Sequence, residues 1–112
     1  MFGWQIVRVA GDSMAPALRH GDYLVGRRTC QVDIGAIVLV RHRELGRIVK
    51  RVKAVEPGGV FRIAGDNPAS TSEADIGPVS IEDIAAVVRL RISPHGVTRL
   101  SAPWHPEGGS PA

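Results

Sequence analysis

Two features of this chain could do covalent chemistry: a serine in a short Gly-Asp-Ser-Met-Ala-Pro turn, and a lysine alone on an apolar strand face. The segment Val9-Ala10-Gly11-Asp12-Ser13-Met14-Ala15-Pro16-Ala17-Leu18 leaves a strand through Gly11 and enters a turn that Pro16 keeps short. Such a junction presents a hydroxyl and a backbone N–H in one direction. Acyl transfer needs both, one to attack and one to hold the developing oxyanion. Read locally, the same residues also make a plain turn in which Asp12 or Ser13 is only a cap.

The lysine lies in Ile48-Val49-Lys50-Arg51-Val52-Lys53-Ala54-Val55. Strand alternation puts Ile48, Lys50, Val52 and Ala54 on one face, and Val49, Arg51, Lys53 and Val55 on the other. Lys50 is then the one charge among apolar neighbours. Such surroundings disfavour the ammonium form and let a lysine act as a base near neutral pH. The competing reading has Lys50 snorkelling to solvent at a sheet edge.

The elements that must position these residues are mainly short strands. Gln5 to Ala10, Tyr23 to Gly26, Ala36 to Val40, Gly46 to Val55, Val60 to Ala64 and Ile84 to Ile92 are mostly rich in Val and Ile and bounded by Gly, Asp or Pro. Gly46 to Val55 and Val60 to Ala64 read as a hairpin across Pro57-Gly58-Gly59. Ser80-Ile81-Glu82-Asp83 can start a helical turn capped by Ser80, and Met14 to Leu18 can form another. The fold class expected is therefore mainly β, with short antiparallel strands and one or two short helical turns. Residues 1–92 read as one domain, and 93–112 as a Pro/Gly-rich mobile tail that Trp104 could anchor.

The chain has 112 residues, 44% of them apolar, and a formal net charge of +3. That suits one small core and excludes wholesale disorder. The longest apolar stretches, Ile34 to Val40 and Ile84 to Leu90, are far short of the roughly 20 residues that cross a bilayer. The N-terminus has no basic region followed by a long apolar one, so it does not read as a signal peptide. The Phe2-Gly3-Trp4 end leaves a peripheral membrane contact open. The single cysteine, Cys30, cannot form an internal disulfide; it permits a reducing compartment and reads as a small, partly buried apolar residue. His20, His42, His95 and His105 lack metal-ligand spacing, so no metal or other cofactor is expected; His20 stays open as a group that orients the site. Arg41, His42, Arg43, Arg47, Arg51 and Lys53 read as a solvated basic face around one hairpin. Aromatics for base stacking are scarce there, and no nucleic-acid partner is expected.

Gly11-Asp12-Ser13-Met14-Ala15-Pro16-Ala17-Leu18, followed by Gly21-Asp22, resembles the nucleophile motif of the signal peptidase I family and of the related self-cleaving repressors. Lys50-Arg51-Val52 resembles the lysine motif. Gly65-Asp66-Asn67, continued by Gly77-Pro78-Val79, resembles a third motif that separates signal peptidases from the repressors. The three occur in family order, and the likeness spans roughly Val7 to Val88. It implies the signal-peptidase and repressor-protease type of β fold and a Ser/Lys dyad in place of Ser-His-Asp. Ser13 is then the implied nucleophile, Lys50 the implied base, and the Ser13 backbone N–H an oxyanion donor. Ser70 corresponds to a serine that helps orient the lysine. The apolar side chain of Met14 is expected to form part of the substrate surface. Two positions depart from the pattern. Gly11 stands where some members carry a second hydroxyl, and Ser72-Glu73-Ala74 replaces an Asp-Ser-Arg run that braces the loop.

The function implied is a serine endopeptidase that removes a short N-terminal peptide from a protein precursor in the cytoplasm. A compact, anchorless subgroup that processes the precursor of nickel-type superoxide dismutase matches best in length and motifs. The alternatives are a general signal peptidase I-like enzyme and a non-catalytic regulatory or binding module on the same fold. No helix-turn-helix pattern precedes the core, which argues against a DNA-binding repressor.

Overall fold

The computed structural model describes residues 3–70 and 72–100. Phe2, Trp104 and His105, with the expectations attached to them, lie outside these residues.

Among the described residues eight strands form one sheet. They are β1 (Trp4–Arg8), β2 (Tyr23–Arg27), β3 (Ile37–His42), β4 (Gly46–Glu56), β5 (Val60–Ala64), β6 (Val79–Ser80), β7 (Ile84–Ser93) and β8 (Gly96–Arg99). The order across the sheet is β1-β2-β7-β3-β4-β5-β6, with β8 on β7, and every pairing is antiparallel. The far edge of β7 is shared: Ile84–Val87 pairs with β3, and Leu90–Ser93 with β8. The mainly β expectation holds.

Local chemistry sets the turns. The β4–β5 hairpin closes over Pro57-Gly58-Gly59, where Gly58 and Gly59 take φ of 86° and 75°, a region that side chains resist. The expected turn after Ser80 is a 3₁₀ turn over Ile81–Asp83, in which the Asp83 carboxylate accepts from the Ser80 N–H at 3.1 Å and the Ser80 hydroxyl at 3.2 Å. Met14–Leu18 makes turns rather than a helix, including Ala15 N–H to Asp12 O at 3.0 Å and Leu18 N–H to Met14 O at 2.9 Å. A four-residue helix, α1 (Glu73–Ile76), was not foreseen. Its sequence, Glu-Ala-Asp-Ile, is too short to show a period.

Apolar clusters cover both faces of the central strands. Val38 and Val40 join Val52, Phe61, Ile63, Ile76 and Ile84 on one side. Ile37 packs on the other with Val9, Met14, Leu18, Leu24 and Val88, and Leu39 packs there with Ala85 and Ala86. Strands buried on both faces carry continuous apolar runs, which is why Ile37–Val40 and Ile84–Val88 show no alternation.

One expectation is corrected. The tail read as beginning at Ser93 is ordered sheet over its first part, because Ser93 ends β7 and Gly96–Arg99 returns along it as β8. The Ser93-Pro94-His95-Gly96 segment is a hairpin turn, not a departure from the domain. The strand after it is exposed throughout and offers no apolar alternation to read. Residues 101–112 lie outside the described part.

Candidate active site

Ser13 sits in the loop between β1 and β2, and the two ends of that loop are tied together. Val9 N–H donates to Asp22 O at 2.7 Å, and Gly21 N–H to Val9 O at 2.8 Å. The buried Asp22 carboxylate accepts from Arg19 N–H at 2.9 Å and from Arg91 Nε at 2.7 Å. Burial alone would raise the Asp22 pKa, but the Arg19 N–H and the Arg91 guanidinium outweigh it and hold the carboxyl below its ordinary range. Leu18 and Met14, both fully buried, pin the loop to the core from beneath. The Gly11 N–H donates to His20 Nδ1 at 2.9 Å, a bond within the same loop.

Lys50 projects from β4 and is only 4% exposed. Burial lowers its pKa from the usual lysine value. Its neighbours are those of a buried strand face: it pairs with Val38, and Val52, two residues on, is fully buried. The snorkelling alternative does not apply. The alternation argument holds past the bulge between Val52 and Ala54, where Lys53 and Val55 are exposed and Ala54 is half-buried.

Ser13 and Lys50 line the same space. One cavity of about 400 Å³ is lined by Asp12, Ser13, Lys50, Asn67, Ala69 and Ser70. A cleft of about 390 Å³ again has Ser13 and Lys50 in its wall, together with Ile6 to Ala10 of the β1 side and Arg47 to Val49 of β4. The serine and the lysine thus stand where the two spaces meet. What joins them is a shared wall, not a direct hydrogen bond, and such contacts commonly tighten only when substrate is bound.

The cleft has a recognisable construction. β1 pairs only with β2, and β5 joins β4 only from Arg51 onward. The outer edge of β1 and that of residues 46–50 of β4 therefore carry no neighbouring strand among the described residues. Both edges border the cleft, over Leu39, with Val7 and Val49 packed against it. Unpaired strand edges are templates for an extended peptide.

The third motif brings the two sides together. Asp66 accepts from Arg51 Nε at 2.9 Å and Nη2 at 2.8 Å, and Lys53 approaches it at 3.8 Å. The hydrogen-bonded Arg51 guanidinium is the main cause holding the Asp66 carboxyl below its ordinary range. Asn67 reaches across to the serine loop: its N–H donates to Ser13 O at 2.9 Å, and its Nδ2 to Asp12 O at 3.0 Å. Gly65 has no room for a side chain, since a Cβ there would collide with the Ser13 carbonyl and Ser70 Oγ.

These roles of Gly65, Asn67, Asp22 and Arg91 were not legible as spacing; the motif Gly-Asp-Asn marks the place without giving its partners. Three expectations shift. Met14, at 1% exposure, is chiefly a core residue, though it also lines the cleft. Arg51 is not part of a solvated face, because its guanidinium is spent on Asp66 and on Gly35 O at 2.8 Å. His42 likewise is structural. Its Nε2 donates to Ile76 O at 2.7 Å, while Nδ1 accepts from the Glu44 and Leu45 N–H groups. That bond ties the last residue of α1 to β3. Ser72 adds its own brace, its Oγ accepting from Asp75 N–H at 3.2 Å. Among the described residues no three His, Cys, Asp or Glu side chains cluster as a metal site.

A family model described as Peptidase S24-like matches residues 4–88. No curated protein and no solved structure matches the chain.

Proposed function

The chain belongs to the S24-like peptidase family, and from that premise we propose that it is a serine endopeptidase working through Ser13 and Lys50. The observation that carries this reading is the burial of Lys50 in a cavity wall shared with Ser13. A neutral amine there takes the Ser13 Oγ–H proton as Oγ attacks the scissile carbonyl. The C=O electron pair moves to oxygen, and the Ser13 backbone N–H holds the oxyanion. Collapse breaks the C–N bond, and Lys50 returns its proton to the leaving amine. Water, deprotonated by Lys50 in turn, then frees the acyl group from Ser13. Ser70 orients the lysine from the same cavity. The substrate lies extended between the free edges of β1 and β4, where main-chain hydrogen bonds fix the scissile carbonyl.

The product is a protein shortened at its N-terminus. The likeness of the three motifs to the compact subgroup supports the precursor of a nickel-type superoxide dismutase as substrate, met in the cytoplasm. No described helix is long and apolar enough to cross a membrane. The test is co-expression of that precursor with the wild-type chain or with Ser13→Ala, reading the mature N-terminus by mass spectrometry. Trimming by the wild-type chain alone is the expected result. An uncut precursor alongside efficient cutting of a secretory preprotein would move the assignment to a general signal peptidase. No cutting of any precursor would leave a binding module.

A further inference from the structure

A second groove lies away from the dyad. One part, about 490 Å³, is lined by Ala36, Ile37, Val87, Val88 and Leu100 among apolar residues, with Arg51, Arg89 and Arg99. The next part, about 360 Å³, shares Arg89, Arg99 and Leu100 and adds Trp4, Arg27 and Leu90. The two adjoin in sharing these three residues. Arginines thus reach the groove from β2, β4, β7 and β8, against one acid in the lining, Asp33.

The arginines are not equivalent. Arg51 is already bound to Asp66 and Gly35 O. Arg27 lies over the Trp4 ring, its Cζ 5.4 Å from the ring centroid. Arg27, Arg89 and Arg99 form none of the ion pairs seen among the described residues. Converging guanidiniums repel one another unless an anion lies between them, and their planar forks match carboxylates two bonds at a time. The floor between them is aliphatic, with one aromatic side chain at an end. That suits alternating acidic and apolar side chains better than a run of stacked bases.

We propose that this groove binds an acidic, partly apolar peptide segment in extended form, its carboxylates paired with Arg27, Arg89 and Arg99. The site goes beyond the proteolytic reading and does not depend on it. It also touches that machinery. Ala17 of the Ser13 loop lines it, and Arg51, beside Lys50 in β4, forms part of its wall. A peptide seated here would hold the loop and the lysine strand from behind.

The probe is a fluorescent peptide of about ten residues alternating Glu and Val, titrated by anisotropy into the Ser13→Ala chain so that cleavage cannot interfere. Its Gln-for-Glu counterpart is the reference. The acidic peptide should bind at least about tenfold tighter than the Gln peptide and weaken with added salt. Arg89→Gln and Arg99→Gln should each weaken it severalfold, whereas Arg47→Gln in the dyad cleft should not. Should Arg89→Gln unfold the chain, Arg99→Glu on the exposed strand β8 gives the same reading. Equal binding of both peptides, or loss with Arg47→Gln alone, overturns the proposal. So does tighter binding of a single-stranded oligonucleotide through the same arginines. A large gain in affinity on deleting residues 101–112 would make the chain's own terminus the occupant and overturn it too.

Discussion

At the scale of single residues, Lys50 carries the most physics. A strand face of Ile, Val and Ala desolvates its amine, and among the described residues no carboxylate is hydrogen-bonded or ion-paired to it to offset that. Replacing it with a methionine should therefore cost nothing in stability and could add about 1 kcal/mol at neutral pH. The sign follows from linkage. Its folded pKa lies below the ordinary 10.5, so the native state binds fewer protons than the unfolded chain in the interval between them. The penalty is full below the folded pKa and vanishes as pH rises to about 10.5. Urea midpoints of Lys50→Met against wild type should then differ most at neutral pH and converge in alkali. Cleavage should fall by about a thousandfold or more in both Lys50→Met and Ser13→Ala, because the pair acts as a unit. In the wild type, kcat/KM should rise with pH through the lowered Lys50 pKa. Near-normal turnover by Lys50→Met would remove the dyad. Gly65 is a second sensitive position. Gly65→Ala forces a methyl group against the Ser13 carbonyl and Ser70 Oγ, at a cost of about 1–3 kcal/mol with loss of activity.

At the scale of elements, the loop between β1 and β2 is held by two other parts of the chain. Asn67 bonds it from the segment after β5, and Arg91 of β7 holds Asp22 at its end. Asn67→Ala removes the side-chain bond to Asp12 O but keeps the backbone bond to Ser13 O. The expected loss is about 1 kcal/mol of stability. If the substrate binds along the edges of β1 and β4 as proposed, the larger effect should be on kcat, with KM little changed; steady-state kinetics checks this. Leu18→Ala should cost about 2–5 kcal/mol in a thermal or urea melt, since Leu18 is fully buried and the loop is anchored through it.

At the scale of the whole molecule, the sheet's integrity depends on β8 and on two depressed carboxylates. A chain stopped after Ile92 loses β8 and also the packing of Leu100 against the cluster beneath the Ser13 loop. It should melt well below a chain stopped after Leu100. Equal melting temperatures would restore the boundary at residue 92. Asp22 and Asp66 both titrate below 3.8 in the folded state. Each therefore contributes stability that is present above that pH and lost as pH falls through its folded value. Acid unfolding should begin below about pH 4 and shift upward in Asp22→Asn, which leaves the Arg91 guanidinium without its carboxylate. Circular dichroism against pH reads this directly.

Much of this was legible from local pattern. Strand positions follow from Val- and Ile-rich runs between Gly and Pro, because each strand's period and limits are properties of neighbouring residues. The isolation of Lys50 follows from the same alternation. The three motifs carry the family likeness and put Ser13 and Lys50 forward as the candidate pair; Ser70 follows only from the alignment back from Gly77. What the chain order could not express are relations between distant segments. Asp22 meets Arg91, Asn67 meets Asp12, and His42 braces Ile76 only after the sheet has brought their strands together. Met14 became core for the same reason: a methionine in a turn is exposed or buried according to what folds over it. Strand β8 escaped notice because an edge strand exposed on both faces has no apolar period, and its pairing with β7 is a matter of backbone hydrogen bonds that side chains do not announce.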